Sequence, residues 1–137
     1  MILRTVPALL VVALAACGGE PEARPDPSPA PRLAAALDGL CRAVGLASEG
    51  DVDGAGRLFQ DRTHAYLHEL ADRGSDAAPE PTGRLLEGKE RAEAAFAGPG
   101  PSDPVIVQYL VDIDQAAREV ARELGMALPP PCRGVVA

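Results

Sequence analysis

The residues best placed to do chemistry are the chain's only two histidines, in the run His64-Ala-Tyr-Leu-His68-Glu69. An i, i+4 spacing puts both imidazoles on one side of a helix, one turn apart. That is a pair of metal ligands in waiting, with Asp61 and Asp72 near the same side and Glu87, Glu90 and Glu93 on the next predicted helix. Two imidazoles and one or two carboxylates suit Zn, Cu or Fe, so the expected site is His64, His68, Glu90 and Glu93. The opposing reading is geometric: at about 100° per residue, His64 and His68 lie about 140° and 180° from Phe59, off the apolar stripe that faces the core. The pair also lacks the glutamate of a zinc-protease HExxH helix. Two exposed or partly packed histidines beside carboxylates would leave the same pattern.

Other polar clusters carry less. Glu49-Gly-Asp51-Val-Asp53-Gly54 has some of the spacing of an EF-hand loop. Its twelfth position is Gln60, which lacks the clamping carboxylate, so a helix-to-helix turn with Asp51 as N-cap is expected. Lys89 is the only lysine and is expected in an ion pair with Glu93, Glu90 or Asp72. There is no GxSxG, no P-loop and no dinucleotide fingerprint, and the expectation is a protein without catalytic activity.

The cysteines are Cys17, Cys41 and Cys132. Cys17 follows Arg4 and a short, mostly apolar stretch from Val6 to Ala16, too short to span a bilayer. Leu14-Ala15-Ala16-Cys17 resembles the lipobox of bacterial lipoproteins. The resemblance covers about the first 20 residues. It implies a signal peptide over residues 1–16, acylation of the Cys17 thiol, and cleavage that leaves Cys17 first in the mature chain. Acyl chains, palmitate among them, partition at about 0.8 kcal/mol per buried CH₂, so two or three of them anchor a protein firmly. The expected location is the cell membrane, lipid-anchored on its extracytoplasmic side.

In an exported chain, the remaining pair Cys41 and Cys132 suggests a disulfide. Cys41 lies nine residues into the first predicted helix, about 14 Å from its start at 1.5 Å per residue. The stiff Pro129-Pro130-Pro131 tail easily covers that distance from Leu124. There is no CxxC, and neither cysteine has a histidine beside it in sequence.

Four amphipathic segments must position these groups. Residues 17–31 form a tether, with five prolines among positions 18–31 and no large apolar residue, and residues 32–137 hold the folded part. Leu33, Leu37, Leu40, Cys41, Val44 and Ala47 make the stripe of a first helix over about 32–48. Val52, Ala55, Phe59, Thr63, Tyr66 and Leu70, widened by Leu67, make a second over about 52–72. A third is expected over about 83–96, after Pro79 and Pro81, with Leu85, Leu86, Ala92 and Phe96 inward. The fourth is capped by Ser102 or Asp103 and closed by Gly125, with its stripe running from Ile106 through Ile113 to Leu124. No segment alternates with period two. The expected fold is all-α, an antiparallel four-helix bundle behind a signal peptide and a proline-rich tether, and it resembles small exported helical-bundle proteins of unknown function.

The chain has 137 residues and a formal charge of −7. That acidic balance argues against binding to a phosphate backbone, so no nucleic-acid partner is expected. The expected role is a binding or interaction module, with the membrane as one partner through the N-terminal lipid and an envelope protein as another. A metal-binding or metal-sensing lipoprotein is the alternative.

Overall fold

The computed structural model describes residues 31–98 and 103–132. The expected signal peptide, Cys17 and all of the expected tether except Pro31 lie outside the described residues. The fold is all-α: α1 spans Pro31–Ser48, α2 Val52–Phe59, α3 Ala65–Gly74, α4 Pro79–Ala97 and α5 Asp103–Glu123, and no strand occurs among the described residues. A π-helical turn, Gln60–His64, joins α2 to α3 without a break, because Phe59, Gln60, His64 and Ala65 all keep right-handed helical dihedrals. The second predicted helix is therefore one long helix with a wider turn inside it, a feature the apolar spacing does not reveal.

The helices pack because each carries one apolar face. Leu33, Leu37 and Leu40 of α1, Phe59 of α2, Leu67 and Leu70 of α3, Leu85 of α4, and Ile106, Leu110, Ile113 and Val120 of α5 are all fully buried in one core. Helix α5 lies against α1, α3 and α4, and α1 lies against α2 and the π turn. The approach of α1 to the π turn depends on Gly39, where a Cβ would sit 2.6 Å from Thr63 Oγ1. Thr63 is itself buried, as its place in the stripe predicts.

Local chemistry sets the ends. Asp51 caps α2, its Oδ1 accepting from Gly54 N–H at 2.8 Å, so the acidic loop is a helix-to-helix turn. After α5, Gly125 takes φ +68° and the Met126 N–H returns to Ala121 C=O at 2.9 Å, the closure glycine permits at C′. Helix α4 begins at Pro79, four residues before the predicted start. Pro79 and Pro81 occupy its first turn, where an amide N–H would have no intrahelical partner. Its inward face also differs from the expectation. Leu85 and Ala92 are buried, but Leu86 points outward at 37% exposure, Phe96 is half-buried, and Thr82, Gly88 and Lys89 are buried instead.

The tail beyond α5 folds back over α1. Cys41 and Cys132 form a disulfide with Cα atoms 5.3 Å apart, as predicted. Arg118 fixes this path: one of its terminal nitrogens donates to Pro129 C=O at 2.8 Å and the other to Pro130 C=O at 3.2 Å. Its Nε donates to Asp114 Oδ2 at 2.8 Å, and both side chains of this pair are nearly enclosed. A proline run presents free carbonyls, and a buried guanidinium has the donors to meet them.

Candidate functional site

The polar centre of the molecule lies where α4 meets the π turn. A π helix closes i to i+5, so residues five apart come together on one side. Phe59 and His64 are such a pair, and their rings meet edge to face with centroids 6.3 Å apart. The angle of about 140° expected on a straight α-helix does not apply. The π turn swings His64 toward the core, leaving it half-buried rather than on the outer face. His68 follows one turn later, exposed, with its ring 4.8 Å from that of His64 and nearly perpendicular to it.

Glu93 of α4 meets this pair. His64 Nε2 lies 2.7 Å from Glu93 Oε1, and Lys89 Nζ lies 2.6 Å from the same oxygen. The lysine side chain is only 5% exposed, whereas those of Glu93 and His64 are about one-third exposed. Burial alone pushes the Glu93 carboxyl up. The hydrogen bond and charge of Lys89, with smaller contributions from His64 and His68, outweigh it and hold the carboxyl below its usual range. Glu93 is thus an ionised carboxylate whose Oε1 faces both the buried ammonium and the His64 imidazole.

The structure brings His64, His68 and Glu93 into one neighbourhood. Glu90 is exposed and joins none of the ion pairs among the described residues, and Glu87 pairs with Arg91 on the outer face of α4. The donor atoms of His64, His68 and Glu93 do not close to within 4.8 Å of one another. Among the described residues, the ligating group that does is Cys41, Asp114 and Cys132. A cation at Glu93 would also have to share its charge with Lys89. Spacing alone missed the burial of Lys89, although Leu85, Lys89 and Ala92 do follow one helical stripe.

Beside the cluster, a cleft of about 420 Å³ opens between α2, the π turn and α4. Val52 and Phe96 give it apolar surface, and Asp53, Asp61 and Glu93 outnumber Arg57 on its walls. Phe96 packs against Phe59 with centroids 5.8 Å apart, which ties this wall to the core. The cleft can receive a small apolar group with a positive end. No protein-family model, curated protein or solved structure matches the chain. No described helix is long and apolar enough to cross a membrane.

Proposed function

We propose that this chain is an extracytoplasmic lipoprotein whose antiparallel four-helix bundle is a non-catalytic binding module for another envelope protein. The observation that carries the reading is the Cys41–Cys132 disulfide. Structural disulfides persist in oxidising compartments outside the cytosol. Two of the three cysteines are joined in this way, and the third, Cys17, stands at the lipobox position. Acylation of Cys17 would fix the chain to the membrane, and the proline-rich tether would hold the bundle away from it. The cleft between α2 and α4 is the surface on offer to a partner. The test is intact mass and membrane fractionation of the protein expressed in a bacterial host. The expected species begins at Cys17, carries acyl mass and sediments with membranes, and Cys17→Ser abolishes all three properties. A full-length, unacylated chain in the soluble fraction would overturn the reading.

A second reading has one observation in its favour, the 2.7 Å approach of His64 Nε2 to Glu93 Oε1. On this reading His64, His68 and Glu93, with Glu90 swinging in, take a divalent transition metal ion. Native mass spectrometry with Zn²⁺, Cu²⁺ and Fe²⁺ tests it. One bound ion, lost in the His64→Ala/His68→Ala variant, supports the metal reading, and binding unchanged in that variant removes it.

A further inference from the structure

A second corner of the molecule holds an unexplained polar atom. Asp114 on α5 is only 9% exposed. Its Oδ2 accepts from Arg118, but its Oδ1 is enclosed and has no hydrogen-bond partner among the described residues. An enclosed oxygen left unpaired costs about 1–3 kcal/mol, so its position calls for a ligand or donor. A carboxylate oxygen of Asp114 and the sulfurs of Cys41 and Cys132 all lie within 4.8 Å of one another. Asp114 and Cys132 also share the wall of a cavity of about 200 Å³ that Val44, Val111, Gln115, Arg118 and Pro131 line with them.

We propose that, once the Cys41–Cys132 disulfide is reduced, Cys41, Cys132 and Asp114 form a binding site for a zinc-type divalent cation. The reductant is a dithiol: its two thiols become a disulfide as the Cys41–Cys132 bond is cleaved to two thiols, so electrons and protons balance. Metal entry then releases those two thiol protons to solvent and forms two metal–sulfur bonds. Zinc takes thiolate at about 2.3 Å and carboxylate at about 2.0–2.2 Å in tetrahedral geometry, which fits donors already gathered on this scale. Charge also balances. Two thiolates and Asp114 carry three negative charges, and one divalent ion with Arg118 offsets them. The guanidinium favours the thiolate forms that bind metal. The cavity gives the ion its path inward and room for a water as fourth ligand.

Cobalt is the probe, because its thiolate complexes give a charge-transfer band that carboxylate or imidazole sites lack. The purified protein is reduced anaerobically with a dithiol, freed of it by gel filtration, titrated with Co²⁺ and then with Zn²⁺, and compared with the oxidised protein. The helical circular dichroism of each form is recorded alongside. The expected result is one equivalent of Co²⁺ with the thiolate band in the reduced protein only, displaced by Zn²⁺. Asp114→Asn weakens binding at least tenfold, Asp114→Glu restores most of it, and His64→Ala/His68→Ala leaves it unchanged. Three results overturn the proposal: no band in reduced protein that remains helical; a reduced chain that unfolds and does not recover helix with metal; or equal affinity in Asp114→Asn, which would leave the ion to the cysteines without Asp114.

Discussion

Lys89 reaches Glu93 Oε1 at 2.6 Å from inside the core, its side chain only 5% exposed. The chain's one ammonium side chain is thus buried, and its charge is offset by a carboxylate that still touches solvent. Removing one partner of a fully buried pair costs about 3–5 kcal/mol, because the other charge is stranded. The partial exposure of Glu93 reduces that, so Glu93→Gln is expected to lose about 2 kcal/mol at neutral pH. Replacing both partners by apolar residues, Lys89→Met with Glu93→Leu, is expected to recover most of the loss. Urea denaturation of the three variants checks this, and a fully stable Glu93→Gln would refute the pairing.

The same carboxyl predicts a pH dependence. Its folded-state pKa lies below the ordinary value, so Glu93 stabilises the fold above the unfolded pKa of about 4.3. That contribution is lost as pH falls through the lower folded-state value. The stability gap between wild type and Glu93→Gln should therefore be full at pH 7 and close at the acid end of the titration. Denaturation midpoints across that range measure it, and a gap that stays constant with pH would show that Glu93 acts through packing.

Two neighbouring leucines test the register of α4. Leu85 is fully buried, and Leu86 is the one large apolar side chain left exposed among the described residues. Leu85→Ala is expected to cost about 2–5 kcal/mol. Leu86→Gln should stay within about 0.5 kcal/mol of wild type. A cost at Leu86 comparable with that at Leu85 would mean that this face is covered in solution.

Apolar spacing made α1 and α5 legible, because their stripes run unbroken and the burial of Leu33, Leu37, Leu40, Ile106, Leu110 and Ile113 follows them. The disulfide was legible for a different reason: cysteine count and the reach of a proline-stiffened tail left one sensible pairing. The inward face of α4 was not, because Lys89 occupies a core position that hydrophobicity assigns to solvent, and only its partner Glu93 makes that tolerable. The π turn was hidden as well. Phe59, Thr63, Tyr66 and Leu70 are spaced as a straight helix would space them, and no residue type announces the wider turn. Yet that turn places His64 against Phe59 and Glu93. The Arg118 contacts to Pro129 and Pro130 were equally silent, since carbonyl acceptors carry no side-chain signature.

Arg118 gives the disulfide its approach path. Its donors hold Pro129 and Pro130, the residues that lead into Cys132, while Asp114 steadies the guanidinium. Oxidative refolding of Arg118→Ala should therefore form the Cys41–Cys132 bond severalfold more slowly than wild type, measured by quenching free thiols over time. An unchanged rate would show that the tail finds Cys41 without the latch. Cys132→Ser should cost about 2–4 kcal/mol, because the bridge closes a loop with a sequence separation of 91. If the two effects are independent, Arg118→Ala will weaken the Cys132→Ser protein as much as the wild type. If the latch serves the bridge, its loss will matter less once the bridge is gone, and a double-mutant cycle reads that coupling directly.

The π turn makes an unusual prediction about deletion. A π turn holds one residue more than the α-helical turn it replaces, so removing one residue there restores the 3.6-residue repeat and leaves both flanking stripes in register. Gln60 is exposed and lies in that turn. Its deletion is expected to leave a folded, helical protein within about 2 kcal/mol of wild type. Deleting Glu69 from the regular helix α3 rotates Leu70, Ala71 and Gly74 by about 100° away from the core, and that protein should lose most of its stability. Thermal melts followed by circular dichroism separate the two outcomes. Equal damage from both deletions would mean that the wide turn is needed in its present form, with Thr63 held against Gly39 and His64 against Phe59 as conditions of folding.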